Sequence, residues 1–180
     1  TIPGLLANIT EESFNKLNDI KKERANKPYL IFISSPEKIN KFINKDFLNE
    51  NLKNLITKCW PGPVTIIFKA KDDLPNFMKS STNTIAFRCP KHSQLLMLLK
   101  SFNGLFSTSA NLSGQKSPTN INEIDQQILN KIDFIVFDDK QETEPSTIID
   151  ASKTNEIKLI RKGKFKTETL EKYYGNKFKK

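Results

Sequence analysis

The chain has 180 residues, of which 29 are lysine or arginine and 20 are acidic, giving a formal net charge of +9. This length suits one domain with a substantial core, and no apolar run approaches the roughly 20 residues that a membrane-spanning helix needs. Two cysteines without CxxC spacing and a single histidine argue against a disulfide scaffold and a zinc site, and they favour a reducing, cytoplasmic location.

The first third of the chain alternates between helical and strand patterns. Thr10 precedes an amphipathic pattern and predicts the N-cap of a helix, and the continuous apolar run 29–33 predicts a buried strand. Apolar spacing predicts two short helices over 36–43 and 49–58. The string Trp60-Pro61-Gly62-Pro63 ends the second of them, and we expect it to form a rigid turn with Trp60 in the core.

The rest of the chain repeats this alternation. We interpret His92 as a surface or capping residue rather than a general base, and residues 177–180 as a solvated end. The absence of a repeat or linker predicts a single layered α/β domain over 1–180, with helices covering a mixed sheet. Strands are predicted over 64–68, 84–88, 134–137 (fully buried), 146–150 and 157–160, and helices over 93–102, from Asn120 and from Thr167.

The most polar string of the chain is Ser107-Thr108-Ser109-Ala110-Asn111-Leu112-Ser113-Gly114. It follows a short apolar step and places four hydroxyls and one carboxamide where a strand should end. These groups both donate and accept hydrogen bonds, and strand ends in α/β sheets are where ligands bind. The string therefore indicates a cradle for a polar ligand. A serine-rich turn that caps its own backbone is an open alternative.

Arginine is scarce among the basic residues. Only Arg24, Arg88 and Arg161 are present, and each stands at the edge of a predicted helix or strand. The planar guanidinium suits bidentate contact with phosphate or carboxylate, although three surface arginines without a role are also consistent with the pattern. Lys22 and Arg24 follow the first helix, where they could clamp a triphosphate or merely complement the helix dipole.

Taken together, these segments resemble the YrdC-like threonylcarbamoyl-AMP synthases of tRNA modification, in their short single-domain form. The resemblance runs from residue 1 to about residue 165, and its strength lies in seven strings that occur in the family's order. Those strings are residues 1–5, 22–24, 60–65, 84–90, 107–114, 145–150 and 159–163.

The resemblance implies a three-layer fold with a twisted mixed sheet and a deep basic cleft. It also implies a reaction in which L-threonine, bicarbonate and ATP, accompanied by Mg²⁺, give L-threonylcarbamoyl-AMP and pyrophosphate. The implied partners are tRNA, modified at adenosine 37, and the proteins that transfer the threonylcarbamoyl group; no membrane and no protein-bound metal are implied. Attack of a carbamate on the α-phosphorus needs alignment and charge neutralisation more than a strong base.

The resemblance also assigns the site residues by position. Catalytic phosphate contacts fall on Lys22 and Arg24. The ATP site is completed by residues whose side chains are hydroxyls, one carboxamide and one guanidinium: Thr84, Ser109, Asn111, Ser117 and Arg161. The threonine site is assigned to Thr1, Arg88, Ser107 and Ser146.

The sequence departs from the family at its start, where the N-terminal strand and the Pro-Thr half of the first motif are missing. We expect that the chain has been trimmed there. Two other function classes stay open: a non-catalytic module that binds double-stranded RNA or tRNA, which the net charge of +9 favours, and a carbamoyl-transfer domain of a larger maturation enzyme. Three arginines isolated at motif positions favour a small anionic ligand.

Overall fold

The computed structural model of the protein describes residues 2–22, 28–136 and 144–179. In these ranges the chain forms seven strands and five α-helices. The strands are β1 (Gly4–Asn8), β2 (Leu30–Phe32), β3 (Val64–Lys69), β4 (Thr84–Arg88), β5 (Leu105–Ser109), β6 (Thr147–Lys153) and β7 (Glu156–Arg161). The helices are α1 (Glu11–Lys21), α2 (Glu50–Cys59), α3 (Ser93–Lys100), α4 (Gln126–Leu129) and α5 (Thr167–Tyr174).

The strands form one mixed sheet in the order β1-β5-β2-β4-β3-β6-β7. β2 is parallel to β4 and β3 is parallel to β6, whereas the other neighbouring pairs are antiparallel. These directions place the ends of β4 and β7 and the start of β6 at one edge, and the end of β5 at the opposite edge. We call them the Arg88 edge and the Ser109 edge, after the last residues of β4 and β5. The mixed sheet with flanking helices confirms the predicted fold class at that level.

One face of the sheet forms the hydrophobic core. Ile31, Ile66, Phe87, Phe106 and Ile149 are each 0% exposed, and they alternate with more accessible neighbours as the period of two requires. They belong to one cluster with apolar side chains from α1, α2 and α5. The opposite face is therefore the one on which alternate side chains can meet a ligand.

Two predicted caps are confirmed by hydrogen bonds. Thr10 precedes α1, and its Oγ1 accepts from the Ser13 amide at 3.2 Å. His92 precedes α3, and its Nδ1 accepts from the Leu95 amide at 3.2 Å. Each bond satisfies an amide that the first helical turn leaves without a partner, so His92 has a structural role at this position.

Two predicted helices are shorter and tighter than expected. The segment predicted as a helix over 36–43 is a 3-10 helix at Pro36–Lys41. After Asn120 the chain forms only a 3-10 turn, Ile121–Glu123, and the α-helix starts later, at α4, where Asp125 is the N-cap. Asn120 thus caps a turn rather than the predicted helix.

The prediction of a buried strand over 134–137 is wrong for its described residues. Residues 134–136 form no strand, and Phe134 is 83% and Val136 76% exposed; Phe137 lies outside the described residues. The preceding residues are tied to the outer surface of α1 instead, through an ion pair of 3.1 Å between Asp133 and Lys16. An apolar run alone does not place a segment in a sheet, and residues 134–136 are not among the strands of this one.

The C-terminal segment is anchored by Phe178, which corrects the expectation of a solvated end for that residue, whereas Lys177 and Lys179 are exposed as expected. Phe178 is 9% exposed, with its ring centroid 6.1 Å from that of Tyr174. Lys179 forms a parallel bridge with Lys158 of β7, and the Phe178 amide donates to the Glu171 carboxylate at 3.0 Å. Lysine content suggested solvation, but a single aromatic side chain anchors the segment.

Within the described ranges, none of the helices combines the length and the apolar character that crossing a bilayer would require.

Candidate functional site

The face of the sheet opposite the core, which we call the site face, carries the candidate residues. In its middle, Ser107 of β5 lies in register between Leu6 of β1 and Leu30 of β2. Ala86 of β4 lies opposite Ile67 of β3 in the same way. Leu6 is 39% exposed and the other apolar members of this row are half-buried. The middle of the site face is therefore mainly apolar, and its polar groups concentrate towards the two edges.

At the Arg88 edge, a guanidinium and two hydroxyls form one hydrogen-bonded network. Arg161 Nε and Nη2 donate to the Ser146 carbonyl oxygen at 3.2 and 2.9 Å, and Nη2 also lies 3.3 Å from Ser146 Oγ. Ser146 Oγ lies 2.9 Å from Thr65 Oγ1, and both residues are buried. We call these three residues, together with Arg88, the Arg88 group.

Arg88 is a nearly buried cation at the end of β4. It is 8% exposed, its Nε donates to the Gly62 carbonyl at 3.0 Å, and its guanidinium carbon lies 5.6 Å from the centre of the Phe32 ring. The register of β3 and β4 places it beside Thr65. A guanidinium held by a carbonyl and an aromatic ring keeps a fixed orientation, which favours recognition of a planar carboxylate.

The Trp60-Pro61-Gly62-Pro63 turn supports Arg88. Trp60 is 4% exposed and its Nε1 donates to the Val64 carbonyl at 2.7 Å, which confirms the predicted core position. The Gly62 amide donates to the Cys89 carbonyl at 2.8 Å. A Cβ atom on Gly62 would lie 2.3 Å from the Cys59 carbonyl oxygen, so only glycine lets the turn come close enough to present its carbonyl to Arg88.

At the Ser109 edge, a buried ammonium organises the end of the hydroxyl-rich string. Lys21 is 3% exposed, and its Nζ donates to the carbonyl oxygens of Ser109, at 2.7 Å, and Asn111, and to Asn111 Oδ1 at 3.0 Å. Ser109 Oγ also donates to Asn111 Oδ1, and Asn111 Nδ2 donates to the Gln115 carbonyl at 2.6 Å. We call Lys21, Ser109 and Asn111 the Ser109 group.

Three further predicted residues lie apart from these two groups. Lys22 is exposed with φ of 47°, and its Nζ donates to Gln127 Oε1 rather than to the Ser109 group. Thr84 stands at the start of β4, at the opposite end of the strand from Arg88, with its Oγ1 2.7 Å from Ser80 Oγ. Ser117 is half-buried in the loop that follows the hydroxyl-rich string.

The structure therefore brings Arg88, Ser146 and Arg161 together at one edge and joins Ser109 to Asn111 at the other. Ser107 is 6% exposed on the site face between them. Thr1 and Arg24 lie outside the described residues.

Sequence reasoning missed two residues of these groups, Lys21 and Thr65. Lys21 lies four positions after Leu17 and one after Ile20, which puts it on the buried face of α1. Thr65 alternates with the core residues Val64 and Ile66 and so points to the site face. In both cases the periodicity of the element indicates where the side chain points, but a polar residue type is more typical of the protein surface.

The two thiols behind the Arg88 group are held in their neutral form. Burial raises the pKa of Cys59 to about 12, and burial raises the pKa of Cys89 to about 11, with a smaller contribution from the charge of Glu37. Desolvation lowers the pKa of the Arg161 guanidinium, although an arginine stays charged at neutral pH. This edge of the site face therefore keeps its cations, and its sulfur atoms stay protonated.

The described residues include no group of three or more His, Cys, Asp or Glu side chains that could hold a metal ion. A cavity of about 380 Å³ lies away from both groups, between Lys41, Phe42, Met78 and Asn103. The candidate site is instead the site face, between its two polar edges.

Both groups lie within the part of the chain that matches a known family of proteins. Residues 1–163 match the profile of the family described as Sua5_yciO_yrdC, Telomere recombination. The chain therefore belongs to the Sua5/YciO/YrdC family, and the family resemblance predicted from the sequence is confirmed.

Individual relatives sharpen this result. A Methanocaldococcus jannaschii protein, provisionally named a threonylcarbamoyl-AMP synthase, is 35% identical over 165 residues, which cover 91% of this chain and 76% of that protein. The Pyrococcus abyssi threonylcarbamoyl-AMP synthase is 30% identical over 180 residues, but this chain spans only 52% of its length. A crystal structure of Pyrococcus abyssi Sua5 complexed with L-threonine matches with a TM-score of 0.84 and 29% identity over 99% of this chain and 52% of that one. Escherichia coli YciO, at 19% identity and a TM-score of 0.77, shares the fold over 93% of this chain and 81% of its own.

Proposed function

We propose that the chain is an L-threonylcarbamoyladenylate synthase. It condenses L-threonine, bicarbonate and ATP to threonylcarbamoyl-AMP and pyrophosphate, and the product serves the modification of adenosine 37 in tRNA by partner proteins. The observation that carries the proposal is the pair of donor-rich groups at opposite edges of one sheet face. The named activity of the curated relatives and the L-threonine bound by Pyrococcus abyssi Sua5 support it.

The Arg88 group suits the amino acid. Arg88 would bind the threonine carboxylate through its guanidinium, whose orientation is set by the hydrogen bond from Nε to the Gly62 carbonyl. The hydroxyls of Ser107 and Ser146 would meet the amino and hydroxyl groups of the substrate, and Thr1 would complete the pocket. Ser146 is held on both sides, by Thr65 and by Arg161, so its hydroxyl has a defined direction before the ligand binds.

The Ser109 group suits the nucleotide. Ser109 and Asn111 would contact the phosphates together with Lys22 and Arg24, and Thr84, Ser117 and Arg161 would complete the ATP site. Mg²⁺ would enter as part of the ATP substrate. Arg88 and Ser109 lie about four residues apart in the direction of the strands, roughly 13 Å at the usual rise per residue, and β2 lies between their two strands. That separation leaves room for an amino acid at one edge and a polyphosphate reaching in from the other.

The chemistry needs little beyond these donors. The threonine amine and bicarbonate give a carbamate and water, and a carbamate oxygen then forms a bond to the α-phosphorus while the bond to the bridging oxygen of pyrophosphate breaks. Fixed cations and hydroxyl donors stabilise the charge that develops on the phosphoryl oxygens, and alignment lowers the barrier further. The mechanism assigns no role to His92, whose Nδ1 caps α3.

The test measures pyrophosphate release by the purified chain from ATP, with L-threonine or bicarbonate omitted in turn, and identifies the product by mass spectrometry. We expect release to require both, with threonylcarbamoyl-AMP as the product. Lys16→Met, at an exposed lysine of α1 that pairs with Asp133, is a matched control and should keep full activity. Equal release without threonine would exclude the synthase activity.

A further inference from the structure

We propose that the cavity beside Lys41 is a second ligand site, which binds a small organic acid with an apolar body and a single carboxylate. We call it the Lys41 cavity. Its volume is about 380 Å³, and none of the residues that line it belongs to the Arg88 group or the Ser109 group. Small-molecule sites typically enclose about 300–1,000 Å³ and combine apolar walls with a few polar groups, and this cavity meets both conditions.

The Lys41 cavity lies on the core side of the sheet. Phe42, which lines it, packs its ring 5.4 Å from that of Phe87 on the core face. Asn8 also lines it and ends β1, where the strand register places it level with Arg88. The cavity therefore opens at the Arg88 edge but behind the sheet, so a ligand bound there leaves the proposed threonine pocket free.

The floor of the Lys41 cavity is apolar and closed towards the core. Ile9, Phe42, Met78 and Phe102 line it, and their side chains offer no strong hydrogen-bonding group. Gly104 completes the floor, and a Cβ atom there would lie only 2.8 Å from a core side chain. The backbone thus already contacts the core at this point. Such a floor favours the apolar body of a ligand over a polar one.

The rim of the Lys41 cavity carries one cation and two carboxamides. These belong to Lys41, Asn8 and Asn103, and no acidic side chain occurs among the described residues of the lining. Lys41 Nζ donates to Asn103 Oδ1 at 2.8 Å. Because that bond uses the oxygen, Asn103 presents its Nδ2 donor, and the ammonium keeps two further hydrogens. The rim therefore suits an anionic group.

The charge of the rim favours a carboxylate over a phosphate. One ammonium balances one negative charge, whereas a phosphate monoester carries nearly two at neutral pH. A carboxylate also has two oxygens, one for Lys41 Nζ and one for Asn103 Nδ2. L-Threonine has no apolar body and would bring its own ammonium group to the cation, so the cavity does not suit the proposed amino-acid substrate.

Hydrogen bonds hold the walls of the Lys41 cavity in place. Lys38 Nζ donates to the carbonyl oxygens of Leu99, at 3.4 Å, and Phe102, which anchors the loop between α3 and β5. On the other side, the Phe42 carbonyl accepts from the Lys71 amide at 2.9 Å. Binding to walls that are already fixed loses little affinity to ordering.

Nuclear magnetic resonance titration of the isotope-labelled chain tests the site, with phenylpropanoate as the probe. We expect a dissociation constant of about 1 mM for a probe of this size, with shifts of the Ile9, Phe42 and Gly104 amide signals. Phenylpropanamide keeps the body without the charge, and propanoate keeps the charge without the ring. Each should bind about tenfold more weakly than phenylpropanoate.

Lys41→Met should weaken phenylpropanoate binding about tenfold and leave phenylpropanamide binding unchanged, so that the preference for the acid disappears. Lys41→Arg keeps the charge and should keep the preference. Lys45→Met is the matched control, because Lys45 is exposed and does not line the cavity. Lys41 is itself exposed, and the same spectra show that each variant is folded.

The absence of shifts at about ten times the expected dissociation constant would overturn the inference, as would equal binding of the acid and the amide. Shifts centred on Ser107 and Ser146 would place the acid in the proposed threonine pocket and would overturn it as well. The titration uses neither ATP nor L-threonine. Its result is therefore independent of pyrophosphate release, and the failure of this site and the failure of the proposed function are distinguishable.

Discussion

Most polar side chains of the Arg88 edge belong to strands, whereas at the Ser109 edge Asn111 lies on the loop that follows β5. Arg88 and Thr65 are strand residues that are at most 8% exposed, and Ser146 directly precedes β6. Asn111 lies beyond the end of β5, where Lys21 and Ser109 donate to it and its own Nδ2 donates to the Gln115 carbonyl. A rigid sheet fixes side chains through backbone pairing, but a loop needs a dedicated side chain to do the same.

This difference corresponds to the two ligands that we propose. A small amino acid is distinguished by a few atoms, so its site gains from residues that cannot move. The triphosphate of ATP must enter its site, and pyrophosphate must leave it. A loop anchored at one point can accommodate both the triphosphate and the pyrophosphate. The contrast leads us to expect separable effects: substitutions at the Arg88 edge should change threonine use, and substitutions at the Ser109 edge should change ATP binding.

Arg88→Ala should give the largest effect. Hydrogen bonds to charged groups contribute about 1.5–3 kcal/mol each, so we expect the apparent KM for L-threonine to rise on the order of a hundredfold. Steady-state kinetics with threonine as the varied substrate, and calorimetric titration of ATP, provide the two measurements. ATP affinity should stay within about twofold, since Arg88 lies at the other edge from Ser109.

The nearby exposed Lys91 supplies the control, because Lys91→Ala removes a cation outside the proposed pocket. If Arg88→Ala lost ATP as severely as threonine, Arg88 would belong with the phosphates and the separation of the two edges would fail.

Asn111→Ala should have a smaller effect of the opposite kind. It removes the proposed phosphate donor and leaves Lys21 with one acceptor fewer, so ATP affinity should fall about tenfold, equivalent to roughly 1.4 kcal/mol. Calorimetric titration measures the loss, and the apparent KM for threonine at saturating ATP should be unchanged. A rise in that KM with intact ATP affinity would assign Asn111 to the amino acid instead.

Sequence patterns predicted most strands of the sheet that separates these edges. Short apolar runs identified β3, β4 and β7, and Thr10 identified the start of α1. β1 was not assigned, because its sequence begins with glycine and ends with asparagine, two residues that are depleted in strands. The apolar run 134–137 was misread because a sequence pattern does not reveal which strands fill the sheet.

The candidate site was predicted as a set of residues but not as an arrangement. The family strings named Ser109, Asn111, Arg88 and Ser146, yet they gave no reason to connect Lys21 to the first pair or Thr65 to Ser146. Those contacts join segments separated by 90 and 81 positions. Long-range contacts of this kind depend on strand order, which periodicity alone does not specify.

The buried thiols behind the Arg88 edge predict that the free energy of unfolding falls at high pH. Burial raises the pKa of Cys59 from 9.0 to about 12, so the folded chain keeps the thiol while the unfolded chain ionises. The stabilisation is complete below pH 9 and is lost as the pH rises towards 12, by up to about 1.4 kcal/mol per pH unit. Near pH 10 we expect a loss of roughly 1 kcal/mol from this group.

Urea unfolding at pH 8 and pH 10 measures that slope in the unsubstituted chain and in Cys59→Ala. The alanine variant loses a constant amount of stability through its cavity, but its decrease between the two pH values should be smaller. Parallel slopes in the two proteins would contradict a role for the Cys59 thiol.

Thr65→Val should give the smallest effect and the finest test of the comparison. Valine keeps the shape of the side chain but removes the hydroxyl that lies 2.9 Å from Ser146 Oγ. Ser146 would keep its contacts with Arg161, so its hydroxyl would lose only part of its orientation. One neutral hydrogen bond contributes about 0.5–1.5 kcal/mol, and we expect the apparent KM for threonine to rise about threefold with unchanged ATP affinity.

Thr57→Val, at an exposed threonine of α2, controls for the loss of a hydroxyl alone. Because Arg161 is assigned to the nucleotide and also contacts Ser146, a fall in ATP affinity without a change in threonine KM would show that this network belongs to ATP, and that the boundary between the two sites lies on the Arg88 edge itself.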